Sequence, residues 1–233
     1  MQRYIDSHCH LSDSFDTMFA RAGGAGITGC VLNSVDISDW NKITQIAKHN
    51  KNVIGCIGIH PWHAGNISAN CWDTMRAILR DNPKLIVGEI GLDKTHDDFE
   101  LQKHIFAQQI DIATEYNRTI NIHCVHAWDT VSHILKSYGK QLPKVVLHSF
   151  DGTENAIDFD ADLYFSYSPN VANNKYKKVI SSLARVPKNK ILVESDSDDL
   201  TKTIISTNGV IARCQNITTD DIFNNSTKAF FNG

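Results

Sequence analysis

Near its start the chain reads YIDSHCH over residues 4–10, a short apolar run that leads into two histidines one residue apart. We predict a strand over Tyr4–Ser7, because β-branched and aromatic residues are typical of strands. Alternate side chains of a strand share one face, so His8 and His10 are expected to point the same way and Cys9 the opposite way. Apolar runs followed by residues that can bind metal ions recur along the chain.

Seven further apolar runs follow, and helical patterns separate them. Eight strand–helix units in 233 residues predict a single α/β domain over residues 1–233, folded as a (β/α)8 TIM barrel. A doubly wound sheet is the structural alternative, but no GxGxxG turn follows the first strand. The predicted strands are Tyr4–Ser7, Thr28–Asn33, Val53–Ile59, Leu85–Glu89, Thr119–Ile122, Lys144–Leu147, Leu163–Ser166 and Ile191–Glu194. The predicted helices are Phe15–Ala22, Ser38–His49, Asn70–Leu79, Phe99–Tyr116, Trp128–Ser137, Asn155–Asp160, Asn173–Leu183 and Asp220–Phe231.

Composition and charge narrow the class of protein. Hydrophobic residues make up 42% of the chain and charged residues 21%, which indicates a folded core. The net charge of −3, with Lys and Arg scattered, argues against a broad basic face for long nucleic acids. We find neither a membrane-spanning apolar run nor a signal-peptide core, so we expect a cytoplasmic protein without membrane association. The six cysteines form no CxxC pair and are interpreted as small buried hydrophobic residues.

The active site of a TIM barrel lies at the C-terminal ends of its strands, where this chain concentrates imidazoles and carboxylates. A single histidine there is more often a structural residue, but six coincidences at one rim are improbable. Mixed imidazole and carboxylate ligation suits two divalent ions, with Zn, Mg and Mn as candidates. Glu89 can bridge the two ions with its two oxygens. The six candidate ligands are His8, His10, Glu89, His123, His148 and Asp196.

Seven histidines stand outside this ligand set. For His60, His63 and His126, contact with substrate and a purely structural role are equally favoured. The other four lie in predicted helices or a loop and are interpreted as structural residues: His49, His96, His104 and His133.

The motifs that contain these residues resemble the TatD family of metal-dependent deoxyribonucleases, within the amidohydrolase superfamily. They are DSHCHL at 6–11, GIHPWH at 58–63, VGEIGLD at 87–93, IHCVHA at 122–127, LHSFDG at 147–152 and ESDS at 194–197. The resemblance implies that His8, His10, Asp196 and Glu89 hold one ion, and that His123, His148 and Glu89 hold the other. It also implies that His60 contacts a substrate phosphate and that Asp93 supports Glu89 or a ligand histidine.

The resemblance predicts a TatD-like deoxyribonuclease of the 3′–5′ exonuclease type, with Glu89 and Asp196 as catalytic residues and a metal-activated water as nucleophile. A barrel mouth admits DNA ends or short single-stranded DNA more readily than the interior of a duplex, and no obligate protein partner is evident. Val125 stands where the family usually has Arg, and Asp198 adds negative charge to the rim. These departures keep two alternatives open: a hydrolase of small esters, lactones or amides, and a non-catalytic metal-bound barrel.

Overall fold

A computed structural model of the chain describes residues 2–12, 14–156, 160–200 and 203–231. Eight strands form one sheet in the order β1 to β8, and each strand pairs in parallel with the next one along the chain. This arrangement, with helices between the strands, confirms the predicted (β/α)8 barrel. The strands are β1 (Tyr4–His10), β2 (Ile27–Asn33), β3 (Val53–Ile57), β4 (Ile86–Asp93), β5 (Ile120–Val125), β6 (Val145–Leu147), β7 (Leu163–Tyr167) and β8 (Ile191–Val193). The helices are α1 (Phe15–Gly24), α2 (Trp40–His49), α3 (Cys71–Asp81), α4 (Phe99–Glu115), α5 (Trp128–Tyr138), α6 (Lys177–Ser182), α7 (Ile204–Gln215) and α8 (Thr219–Ser226).

Three strands extend at least three residues further toward their C-terminal ends than the sequence predicts. β1 continues to His10, β4 to Asp93 and β5 to Val125. Each apolar run ends before its strand does. Polar residues can continue these strands because their side chains face one another across the barrel mouth instead of solvent. Several candidate ligands therefore lie on strands, which hold side chains more rigidly than loops do.

Polar groups close the barrel between β8 and β1. The Ser7 hydroxyl donates a hydrogen bond to the Val193 carbonyl at 2.7 Å. The backbone N–H of Asp196 donates to the His8 carbonyl at 3.0 Å. The residues that join the two ends of the sheet are therefore neighbours of the candidate ligands, or are themselves candidates.

The barrel interior is apolar below the mouth. Alternate residues of the strands form a buried cluster that is separate from the larger one packed against the helices. Phe230 lies in the π-type turn Thr227–Phe231 that follows α8, and its side chain packs against this inner cluster. The C-terminal segment therefore contributes to the core. None of the helices in the described ranges combines the length and apolarity needed to cross a membrane.

The helix predictions fail in three places. The sequence predicts no helix for α7, Ile204–Gln215, because Thr, Asn, Gly and β-branched residues have low helix propensity. The helix predicted from Asn173 begins only at Lys177, since the Asn173 side chain caps a short 3-10 turn by accepting a bond from Lys175 N–H. Of the helix predicted over Asn155–Asp160, one 3-10 turn at Glu154–Ala156 is present, and residues 157–159 lie outside the described ranges.

The cysteine prediction is wrong at Cys214 and holds only in part at Cys124, which is half-buried. All six thiols are free, as expected, and Cys9, Cys30, Cys56 and Cys71 are buried. Cys214, however, is exposed. Its burial could not be judged without α7, the helix that carries it.

Gly91 marks the closest approach between β4 and β5. A Cβ atom added at Gly91 would lie 1.8 Å from the backbone carbonyl oxygen of His123. Real non-bonded atoms do not approach so closely, so any side chain at this position must push apart the two strands that carry Glu89 and His123.

We therefore expect Gly91→Ala to lower the free energy of unfolding by about 1–3 kcal/mol, the usual cost of overpacking, or to prevent folding. Urea unfolding followed by circular dichroism measures this change. Gly23→Ala is the matched control, because a Cβ there meets no atom within 4 Å and Ala is the better helix former. Equal stability of the Gly91→Ala variant and the natural chain would contradict the close approach.

Candidate metal centre

The Glu89 carboxylate lies at the centre of the barrel mouth and is almost fully buried. Its Oε1 atom is 2.8 Å from His123 Nδ1 and 3.0 Å from His148 Nε2. Its Oε2 atom is 3.2 Å from His8 Nε2 and 3.9 Å from His10 Nε2. One carboxylate therefore faces four of the imidazoles that the sequence assigns to the metal site.

β1 and β4, the strands that carry His8 and Glu89, each contain a β-bulge. β1 has one extra residue between Asp6 and Cys9 relative to β2. β4 has one extra residue between Val87 and Ile90 relative to β5. Such bulges re-aim side chains and are common beside active sites. They fall at His8 and at Glu89, whose side chains meet across the mouth.

One group of ligand atoms comes from the two ends of the sheet. Single ligand atoms of His8, His10 and Asp196 all lie within 4.8 Å of one another. The Asp196 Oδ1 atom is 3.3 Å from His10 Nε2 and 3.9 Å from His8 Nε2. Asp196 follows β8 in a left-handed conformation, with φ of 52°. Its side chain is 35% exposed, against 3% for Glu89, so Asp196 is the carboxylate that solvent reaches.

A second group surrounds the Oε1 atom of Glu89. Ligand atoms of His60, Glu89 and His123 lie within 4.8 Å of one another. His60 Nε2 is 3.4 Å from Glu89 Oε1, which brings His60 as close to the carboxylate as the predicted ligands. The sequence assigns His60 to substrate contact, and the structure places it inside the cluster.

The donor atoms fit divalent metal ions. His123 Nε2 is buried without a hydrogen bond, and His8 Nε2 is buried without a well-aligned one although Glu89 Oε2 is 3.2 Å away; buried polar atoms left in this way are uncommon. Burial lowers the pKa of His8 and of His60, which favours the neutral imidazole that binds metal ions. The combination of neutral imidazoles with carboxylates is that of transition-metal sites.

The carboxylates of the cluster are held in their charged form. Burial by itself raises the pKa of Glu89, but the charge of His148, with hydrogen bonds from His123 and His148, holds it well below its usual range. Burial likewise raises the pKa of Asp196, and the hydrogen bond from His10 and the nearby histidine charges outweigh it and lower the pKa. Both groups are therefore available as anionic ligands.

Two buried polar residues that the sequence interpretation did not single out hold ligand histidines in place. Glu194 is fully buried, and its Oε1 atom accepts hydrogen bonds from Ser149 N–H at 2.6 Å and from His148 Nδ1 at 3.2 Å. Burial alone lowers the pKa of His148, but the charges of Glu89 and Glu194 raise it well above its usual value. Asn121 Nδ2 donates to His8 Nδ1 at 3.1 Å. The sequence feature that could have identified Glu194 and Asn121 is that each is a single polar residue of an otherwise apolar run.

Asp93 lies beside the second group of ligands. Its Oδ2 atom is 3.6 Å from His123 Nε2 and accepts a hydrogen bond from the Trp62 indole N–H at 2.7 Å. Its Oδ1 atom accepts from the backbone N–H and the hydroxyl of Thr95. These hydrogen bonds lower the pKa of Asp93 against the effect of its burial. Of the two supporting roles predicted for Asp93, its position favours contact with a histidine.

Two buried glutamines of α4 fix the backbone beneath this part of the mouth. Gln102 accepts a hydrogen bond from Asp93 N–H at 2.9 Å and donates to the Asp93 carbonyl at 3.0 Å. Gln109 accepts from Ile59 N–H at 2.7 Å and donates to the Ile59 carbonyl at 3.2 Å. The residues that precede His60 and end β4 are thus held by one helix.

His63 and His126 stand apart from the cluster. His63 Nδ1 is 3.7 Å from Asp36 Oδ2, and the side chain is about one-third exposed. His126 is exposed, with a left-handed backbone. Neither histidine belongs to the groups of converging ligand atoms found among the described residues.

Known proteins of one family resemble this chain over most of its length. The family described as "TatD related DNase" matches residues 5–222. The chain is similar to the 3′-5′ ssDNA/RNA exonuclease TatD of Pantoea ananatis, with 25% identity over 188 residues that cover 78% of this chain and 72% of the relative. It is also similar to the human deoxyribonuclease TATDN3, with 26% identity over 218 residues, 84% of this chain and 78% of the relative.

Solved structures share the fold. The TatD homologue YjjV from Escherichia coli K12 superposes with a TM-score of 0.88 at 22% identity, over 99% of each chain. A TatD family hydrolase from Entamoeba histolytica gives a TM-score of 0.82 at 17% identity, over 100% of this chain and 99% of that one. These likenesses extend across the whole barrel.

We expect the protein, stripped with chelator and then dialysed against Zn²⁺ or Mn²⁺, to bind two ions per chain. Glu89→Ala removes the carboxylate between the two groups of histidines, so it should lose at least one ion. Elemental analysis of the dialysed protein gives the count. His133→Ala, an exposed histidine on α5, is the matched control and should keep the count of the natural chain. An unchanged count in Glu89→Ala would show that the ions bind elsewhere.

Proposed function

Because the chain belongs to the family of TatD-related DNases, we propose that it is a metal-dependent 3′–5′ exonuclease that acts on single-stranded DNA ends. The convergence of His8, His10, His60, His123 and His148 on the Glu89 carboxylate carries the proposal. A hydrolase needs such a set of donors at an accessible mouth, and the exposed part of Asp196 makes the cluster reachable from solvent.

Two divalent ions would be held by the same side chains. His8, His10 and Asp196 would bind one ion, and His123 and His148 the other, with Glu89 between them. When bound, the ions supply Lewis-acid polarisation of a phosphate oxygen and activation of a water. His60, next to the Oε1 atom of Glu89, would then orient a phosphate oxygen of the substrate.

Asp196 is the proposed proton acceptor. In the hydrolysis, a water oxygen bonds to phosphorus, the bond from phosphorus to the 3′ oxygen breaks, and one water proton ends on the leaving 3′ hydroxyl. Asp196 can take that proton and return it, because it is anionic and exposed on one side while Glu89 is enclosed. The products are a nucleoside 5′-phosphate and a strand shortened by one residue.

The substrate assignment rests on charge and on the relatives. A chain of net charge −3 is poorly suited to gripping a long duplex, whereas a strand end needs few phosphate contacts. The exposed side chains of His63 and His126 are available for those contacts. The related proteins named as exonuclease and deoxyribonuclease act on the same bond type.

We expect metal-loaded protein to shorten a 5′-labelled single-stranded oligonucleotide one nucleotide at a time, and chelator to stop it. Glu89→Gln and Asp196→Asn should lower kcat by roughly 10²–10⁴-fold. Asn is the suitable replacement at 196, since it tolerates the left-handed backbone found there. Denaturing gels read the product ladder directly.

The matched control is Asp81→Asn, which removes an exposed acid at the C-terminal end of α3, outside the mouth, and should leave kcat unchanged. Cleavage of closed circular DNA would contradict the exonuclease mode. Turnover of small esters or lactones by metal-loaded protein that leaves DNA intact would instead favour the small-molecule hydrolase, the alternative that Val125 and Asp198 keep open.

A further inference from the structure

Trp62 presents an exposed indole beside the candidate metal centre. It is 54% exposed, the largest value among the large hydrophobic side chains that the structure describes. By contrast, Trp40 and Trp128 are 1% and 5% exposed. An indole left in water gains none of the free energy of burial, so the exposure of Trp62 at the mouth needs an explanation.

The indole is held in one orientation. Its N–H donates to the buried carboxylate of Asp93 at 2.7 Å. The ring of His96 stacks on it, with 4.5 Å between ring centroids and 23° between planes. His96 Nδ1 is also 3.3 Å from Asp93 Oδ2, so both rings are tied to the same carboxylate. A ring fixed in this way loses little conformational entropy when a ligand contacts it.

Trp62 lies next to the ligands of the proposed reaction. Its ring is 4.7 Å from that of His60 and nearly perpendicular to it, and 6.4 Å from that of His123. Both histidines face Glu89 Oε1, at 3.4 and 2.8 Å. The indole is therefore separated from Glu89 by one side chain.

We propose that Trp62, backed by His96, is a stacking site for a nucleobase adjacent to the bond that is cut. The inference rests on the proposed nuclease function and names how the strand is recognised. Base stacking on aromatic side chains is indifferent to base identity and needs no positive charge. It suits a chain of net charge −3, and it favours single strands, because the bases of a duplex are already stacked on one another.

The test combines variants with substrates. Trp62→Phe and Trp62→Leu both lose the hydrogen bond to Asp93, so their difference isolates the aromatic ring. On a single-stranded oligonucleotide we expect Trp62→Leu to raise KM by roughly 5- to 150-fold, with kcat changed far less, and Trp62→Phe to recover most of the loss. Two further oligonucleotides lack the base of the terminal or of the penultimate 3′ nucleotide. On the oligonucleotide that lacks the base stacked on Trp62, Trp62→Leu and Trp62→Phe should have equal KM.

His96→Ala removes the backing ring and should raise KM on the intact strand, whereas His104→Ala, an exposed histidine of α4, should not. Equal KM of Trp62→Leu and Trp62→Phe on every substrate, in a protein that degrades DNA, would overturn the inference and leave the nuclease function standing.

If no DNA is cut, the proposed function fails, and the stacking site is judged separately by binding. The dinucleotide pdTpdT added to the metal-loaded protein should quench tryptophan fluorescence, and Trp62→Phe should abolish the quenching. No quenching in the natural chain would overturn the stacking site as well.

Discussion

The contact of the buried Glu89 carboxylate with the surrounding imidazoles is the constraint on which the rest of the mouth depends. An isolated carboxylate in such a place is strongly disfavoured, and only nearby positive charge, hydrogen bonds or bound cations make it tolerable. The barrel supplies histidines from β1, β5 and the loops that follow β3 and β6, so that no one element forms the site. Each of these elements must be in register for Glu89 to stay charged.

The contacts that close the barrel between β8 and β1 also bring candidate ligands together. The hydrogen bond from Asp196 N–H to the His8 carbonyl joins the end of the sheet to its beginning, and it also sets the two ligands side by side. The Ser7 hydroxyl reinforces the seam one residue earlier. A change that opens the seam would therefore also separate these candidate ligands.

The side of the mouth near β4 is organised differently, by hydrogen bonds between side chains and backbone. Gln102 and Gln109 of α4 fix the end of β4 and the segment that follows its neighbour β3. Asp93 contacts His123, His96 and Trp62 through one buried carboxylate. The candidate metal ligands and the exposed aromatic surface thus share a common support. In the proposed function, Asp93 would couple hydrolysis and strand recognition without a basic surface.

The sequence by itself determined the barrel and the six ligand candidates, because strand periodicity and the polar residues that follow each apolar run are local properties of the chain. It did not predict α7, which forms through packing although its residues have low helix propensity. Nor did it predict the hydrogen bonds of Glu194 with His148 and of Asn121 with His8. It left His60 open between substrate contact and a structural role, and it did not single out Trp62. Only the tertiary structure decided which oxygen of Glu89 faces which imidazole, since the bulges of β1 and β4 and the closing seam bring together residues far apart along the chain.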